Sequence, residues 1–248
     1  MTVVHLKDGE VSTQDSVAIS RAPSGRELRD GYLHDIQELT LGLVSARGSS
    51  LYLGPVELLR FGSATVTASA VEWPIAGGIT ARAPGGTFRI EAAGGRVTAS
   101  VDGYRPRLPL PLYALSQLPV HQLLTRLYLL RVRGREPAPG TPAAPRARRR
   151  AAAVDLAFCF TLAGIAGKRR RLPFLLGIAA VYHVACWSTS GRTLGGLVVG
   201  QRVVAVDGSR PTVMQCAYRF FVLPLAWVTR RAVHDELAGT EVIVDPPT

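Results

Sequence analysis

Residues Ala151–Gly167 carry one charged side chain, Asp155, and Leu172–Ser190 carry none. A chain with two such stretches almost back to back must bury both in a large core or place them in a bilayer. At 1.5 Å per helical residue they cover about 25 and about 28 Å, against roughly 30 Å of hydrocarbon. Basic clusters bracket them. Arg146, Arg148, Arg149 and Arg150 precede the first, Lys168–Arg171 separate the two, and Arg230-Arg231 follow a third apolar stretch, Val213–Thr229, which contains Arg219 and Pro224. Cations at the ends of apolar segments act as interfacial anchors on anionic lipid head groups. Residues 151–244 are therefore expected to form an α-helical membrane domain of two spans plus a third, shorter membrane-associated helix.

The charge balance fits that placement. There are 29 basic residues against 18 acidic ones, a net charge of +11. Nucleic acid would need a folded basic face or aromatic platforms, whereas these runs flank apolar segments, so membrane lipids and not nucleic acid are the expected partners. With 47% hydrophobic residues and a mean hydropathy of +0.18, the chain is no disordered polymer. Three cysteines, Cys159, Cys186 and Cys216, lie far apart with no C-x-x-C pair. That excludes a disulfide framework and argues against a zinc site, so neither a metal nor a cofactor is expected. The first ten residues lack an apolar signal segment, which leaves whatever precedes the first span in the cytoplasm.

Ahead of the apolar region the pattern is different. Residues 1–30 are polar, broken by Pro23 and Gly25, and read as a flexible tail. Residues 31–133 read as a cytoplasmic sheet-plus-helix domain. Short runs such as Leu51–Leu59, Thr65–Ile75, Thr87–Glu91 and Arg96–Val101 are separated by turn signals, including Pro84-Gly85-Gly86 and Gly94-Gly95. After Pro109 and Pro111 the spacing of Leu112, Leu115, Val120, Leu123, Leu124, Leu127 and Leu130 predicts a helix that restarts at Pro119. The fold class is α+β. Residues 134–150, with prolines at 137, 139, 142 and 145, read as an extended linker.

Several multi-residue motifs in the last part of the chain agree with one known family. Arg149-Arg150 precede Ala151-Ala152-Ala153-Val154-Asp155-Leu156. Then come Gly191-Arg192-Thr193-Leu194-Gly195, Val199-Gly200-Gln201-Arg202-Val203-Val204, Asp207-Gly208, Arg219, and the run from His234 to Val242 containing Asp235, Gly239 and Thr240. Over residues 147–244, about two-fifths of the chain, this resembles the RDD family of bacterial membrane proteins. The resemblance maps the family's arginine and two aspartates onto Arg150 (or Arg149), Asp155 and Asp235. It implies a cell-membrane, multi-pass protein whose role is mostly undefined, with transport or ion exchange suggested for some members. A sheet-then-helix domain ahead of such a segment is similar to arrangements in actinobacteria.

The residues themselves allow several chemistries. An unpaired carboxylate one turn inside an apolar helix costs several kcal/mol, so Asp155 needs a partner. Arg150, Arg149 and Arg219 are the candidates, in a structural ion pair, on an ion path, or with Asp155 snorkelling to the interface. Gly191, Gly195, Gly196 and Gly200 lack the ending of a phosphate-binding P-loop. They suit close backbone approach in a short helix that leads into a strand Arg202–Val206, for which Glu241–Val244 is the natural partner. His234-Asp235 has no nucleophile in frame and reads as a capping or hydrogen-bonding pair, with Gly239-Thr240 closing the exit from the third segment. His183 reads as a helix-packing histidine.

The expectation is thus a non-enzymatic membrane protein moving an ion or small solute. The alternative is a membrane-anchored module whose amino-terminal sheet binds a lipid, a small apolar ligand or a protein. Two or three short helices cannot form a pore alone, so transport implies a homo-oligomer. Arginine counting places both termini in the cytoplasm: Arg146, Arg148, Arg149, Arg150, Arg192, Arg202 and Arg210 lie inside, against Lys168–Arg171 outside.

Overall fold

A computed structural model describes residues 3–7, 9–134, 136–164, 171–229 and 232–245. The chain divides into two compact units, Met1–Gly134 and Arg135–Thr248.

The first unit is an antiparallel sheet with two helices. Its elements run β1 (Val3–Lys7), β2 (Glu10–Ala18), α1 (Gly25–Leu39), β3 (Val44–Arg47), β4 (Ser50–Leu53), β5 (Val56–Phe61), β6 (Thr65–Val66), β7 (Ala70–Gly77), β8 (Thr87–Ala93), β9 (Arg96–Tyr104) and α2 (Leu110–Arg133). The strand order is β1-β2-β9-β8-β7-β5-β4-β3, with β6 beside β7. The meander β7-β8-β9 follows the turn signals, and Gly94-Gly95 closes the β8-β9 hairpin with both glycines at positive φ.

Residues 1–30 are not a flexible tail. β2 pairs with β1 on one side and β9 on the other, so it lies inside the sheet. Its alternation is disguised in sequence. Val11, Asp15 and Val17 share the buried face, and Asp15 is held there by Arg126 Nη1 at 3.5 Å. α1 also begins inside the supposed tail. Ser24 caps it, accepting from Glu27 N at 3.3 Å, while Glu27 Oε2 accepts from Ser24 N at 2.8 Å, a reciprocal capping box. Gly25 is required where it stands, because a Cβ there would lie 2.3 Å from the Thr67 carbonyl oxygen. α2 is continuous through Pro119 instead of restarting.

Between the sheet and the two helices the core is aromatic. Tyr32 of α1 lies 5.5 Å from Trp73, 4.8 Å from Phe88 and 5.1 Å from Tyr128 of α2, ring centre to ring centre. Trp73 and Phe88 stack at 5.7 Å. A cavity where α2 faces β2 and β9, beside His121, measures about 10 Å³, room for one water at most.

The second unit comprises α3 (Pro145–Ala163), α4 (Arg171–Thr189), α5 (Leu194–Val199), β10 (Gln201–Ala205), α6 (Val213–Thr229), α7 (Val233–Ala238) and β11 (Thr240–Val244). β10 and β11 pair antiparallel with Val203 opposite Val242. The supposed linker is part of this unit. Ala143 N donates to Val242 O and Val244 N to Thr141 O, both at 2.8 Å, so residues 141–143 run along β11. Pro145 opens α3 from its first turn, where a proline's missing N–H costs nothing and its fixed φ suits the helix.

Among the described residues, Leu172–Thr189 is the one helix long and apolar enough to cross a membrane. Two independent spans are therefore not established. α3 spends its first turn on arginines, and α6 has an apolar stretch of only Val213–Ala226. Most of the link Lys168–Arg171, up to the start of α4, lies outside the described residues, as do Arg230 and Arg231. Large apolar side chains nonetheless point outward from α3, α4, α5 and α6, among them Phe160, Val181, Val198 and Phe221.

Candidate functional site

Two buried carboxylates organise the second unit. α3 presents Ala151, Asp155, Cys159 and Ala163 at four-residue intervals, and this is its buried stripe. Asp155 Oδ1 accepts from Tyr182 Oη at 2.7 Å and from Gly195 N at 2.8 Å, and Oδ2 accepts from Thr193 Oγ1 at 2.8 Å. The donors belong to one another's frame. Tyr182 Oη accepts from Leu194 N at 2.7 Å, and Thr193, the N-cap of α5, accepts from Gly196 N at 3.0 Å. The acid is thus satisfied by neutral donors and not by the arginines expected for it. His183 Nε2 stands 4.0 Å from Oδ2.

The glycines make this convergence sterically feasible. A Cβ on Gly195 would sit 2.1 Å from the Ala151 carbonyl oxygen, so α3 and α5 touch backbone to backbone. Gly191, at φ +75°, would collide with Val203 O at 2.7 Å, and Gly200 ends α5 in the left-handed conformation. The glycine run is therefore a packing device.

Asp235, at the start of α7, is the second centre. Its Oδ1 accepts from Arg219 Nε at 2.9 Å, Arg219 Nη2 at 2.7 Å and Thr240 Oγ1 at 3.2 Å. Its Oδ2 accepts from Arg148 Nη2. Burial alone would raise this carboxyl's pKa, but the charges of Arg219 and Arg148 outweigh it and hold the pKa below the usual carboxylate range. Burial drives the neighbouring His234 imidazole down to about 4, so it is neutral at physiological pH. Arg219 also lies flat on Trp187, its Cζ 4.2 Å from the ring centre. Gly239 closes α7 in the left-handed conformation, and Gln215, fully buried, donates from Nε2 to Ala238 O at 3.0 Å, tying α6 to α7.

Of the residues singled out from sequence, Asp155, Thr193 and Gly195 meet at one centre, and Asp235, Arg219 and Thr240 at the other. Arg149 and Arg150 join neither; both are exposed. The α3 arginine that joins Arg219 on Asp235 is Arg148, two helical turns before Asp155 and on the same face. That seven-residue spacing was readable once α3 was extended back to Pro145. Tyr182 and Gln215 carried no local signal, since a tyrosine and a glutamine in apolar helices look like interface residues.

Between the two centres opens a cleft of about 700 Å³, bordered by α3, α4, α6, α7 and β10. Arg148, Arg149, Arg202, Arg219, Asp155, His183, Trp187, Gln201 and His234 contribute to its walls. Residues 172–239 match the model of the RDD family. The second unit carries an RDD domain. That match and the apolar helix α4 mark a membrane protein. No curated protein and no solved structure matches the chain.

Proposed function

We propose that the RDD unit is embedded in the cell membrane and binds a small polar solute in this cleft, as one step in moving it across the bilayer. The observation that carries the reading is the contrast between the two sides of the unit. Its outer surface exposes large apolar side chains, while a cleft of about 700 Å³, walled largely by apolar groups such as Trp187, Val203 and Leu223, gathers arginine, carboxylate, glutamine and imidazole at its edge. Ionisable groups held inside a membrane domain are expensive, and facing a solvated cavity is the usual reason to retain them. In this reading α3 crosses beside α4, α6 enters without crossing, and both termini lie in the cytoplasm. Too few helices are available for a channel within one chain, so the working unit is a homo-oligomer.

The reading assigns no chemical step: the Thr193 hydroxyl beside Asp155 is taken up in capping α5 and in holding that carboxylate, and the protein is proposed to be a non-enzyme. The alternative, an amino-terminal sheet domain that binds a lipid, a small apolar ligand or a protein partner, would use an open cleft of about 600 Å³ beside Leu33, Phe61 and Trp73, where no buried carboxylate or arginine cluster converges among the described residues. Proteoliposomes containing the full chain and a pH-sensitive dye, challenged in turn with sodium, potassium and phosphate gradients, test the proposal. Wild type should dissipate at least one gradient, and Asp155→Leu should slow that flux at least tenfold at equal incorporation. No flux with any of the three, or equal flux in the variant, would overturn it.

A further inference from the structure

We infer that the solute taken by the cleft is a hydroxyl-bearing anion, a phosphate group that carries or adjoins an O–H. This deepens the reading above and rests on it. The first argument is charge. Four guanidinium groups border the cleft, those of Arg148, Arg149, Arg202 and Arg219, against one carboxylate, Asp155. Both oxygens of Asp155 already accept hydrogen bonds, three in all, so it has little left with which to hold a cation. Nor do three or more His, Cys, Asp or Glu side chains converge as a metal site among the described residues. Asp235 is bound by Arg148 and Arg219, and Asp245 stands 3.7 Å from Arg202 Nε. Arg149 makes no ion pair among the described residues. Planar guanidinium forks at the edge of a cavity suit the oxygens of a phosphate.

The second argument is independent of charge. Gln201 and His234 are each 7% exposed and line the cleft, and Gln201 Oε1 and His234 Nδ1 have no hydrogen-bond partner among the described residues. A buried polar atom without a partner costs free energy that a bound ligand can recover. His234 Nε2 is turned toward Asp235 Oδ2 at 3.7 Å, so an N–H on that nitrogen leaves the neutral ring with a bare lone pair on Nδ1. Gln201 Oε1 is likewise an acceptor. Two acceptors without donors beside an excess of cationic donors are complementary to a ligand that has anionic oxygens and hydroxyl protons together. Hydrogen phosphate has both. So does the glycerol-phosphate head group of an anionic lipid. Sulfate has the oxygens but no proton at neutral pH.

The test uses the full chain in phosphatidylcholine nanodiscs. Calorimetric titration with inorganic phosphate, sulfate, sodium chloride and glycerol forms one arm. Native mass spectrometry of retained lipid, after a fifth of the phosphatidylcholine is replaced by phosphatidylglycerol, forms the other. Saturable binding of phosphate, of phosphatidylglycerol or of both is expected, with sulfate at least tenfold weaker than phosphate when phosphate binds. Arg149→Gln and Arg202→Gln should each weaken it about tenfold or more. Arg149 is exposed and Arg202 only half-buried, so these variants should fold even if Gln201→Leu does not. Phosphate alone would identify a free anion as the ligand, and phosphatidylglycerol alone a lipid. Sulfate binding as tightly as phosphate, or affinity unchanged in both arginine variants, would overturn the inference. Binding of sodium or glycerol but neither phosphate source would overturn it and leave the solute-binding reading standing. Binding of nothing tested would count against both.

Discussion

Replacing Asp235 by asparagine removes the one negative charge that holds Arg219 and Arg148 together while keeping the volume of the side chain. Asparagine retains a single carbonyl oxygen. If that oxygen stays with Arg219, the new amide points an N–H at Arg148, donor against donor. Arg148 is 28% exposed and can turn toward water; Arg219, at 4%, cannot. Three charge-assisted hydrogen bonds from arginine are affected, each worth about 1.5–3 kcal/mol. Because such bonds are not additive, the better guide is the cost of breaking one side of a buried pair, about 3–5 kcal/mol. Asp235→Asn should therefore lower the stability of the RDD unit by about 3–5 kcal/mol, whereas Arg150→Ala, at an exposed site, should change it by no more than about 0.5 kcal/mol. Unfolding in mixed micelles, titrated with sodium dodecyl sulfate and followed by far-ultraviolet circular dichroism, measures both. A loss under about 1 kcal/mol in Asp235→Asn, or an equal loss in Arg150→Ala, would refute the assignment of this centre.

Acid should destabilise the RDD unit before it titrates ordinary carboxylates. His234 has its folded-state pKa pushed down to about 4, so between pH 6.5 and 4 the unfolded chain takes up a proton that the folded one refuses. Stability is then fully present above about pH 6.5 and falls by up to about 3 kcal/mol on the way to pH 4, with Asp235 adding a loss below that as its lowered pKa is approached. His234→Gln should flatten the upper part of the curve, and an unchanged slope would contradict the burial argument. Gly195→Ala should cost about 3 kcal/mol or more, because its Cβ would lie 2.1 Å from Ala151 O, while Gly200→Ala, with open space around it, should cost about 1 kcal/mol of backbone strain. Similar losses at the two glycines would contradict the close crossing of α3 and α5.

Much of the RDD unit was legible because its signals are local. The glycine run and the two short strands at residues 202–206 and 241–244 each act within a few residues of themselves, and the strand pair lies within one residue of its expected ends. The ion pairs were not legible in the same way. Asp155 invited an arginine partner by the cost of burying a charge, but three neutral donors from two other elements satisfy it instead, and no spacing rule connects residue 155 with 182 or 195. The first unit failed differently. β2 reads as polar because Asp15 occupies an inward position that Arg126, more than a hundred residues later, helps make tolerable. The Ser24-x-x-Glu27 box was present in the sequence and does mark the start of α1; the prolines and charges around it hid a regular element.

The central claim is a solvated cleft inside a membrane-embedded domain, and cysteine accessibility tests it most directly. In a full-length chain with Cys159, Cys186 and Cys216 replaced by alanine, single cysteines at Ala152, on the cleft wall, and at Val181, on the outward face of α4, are compared for reaction with a charged, membrane-impermeant thiol reagent in inside-out and right-side-out vesicles. Ala152→Cys should react in one vesicle orientation and Val181→Cys in neither. A reactive Val181→Cys would place α4 in water, and an Ala152→Cys inert in both orientations would close the cleft; either result contradicts the account.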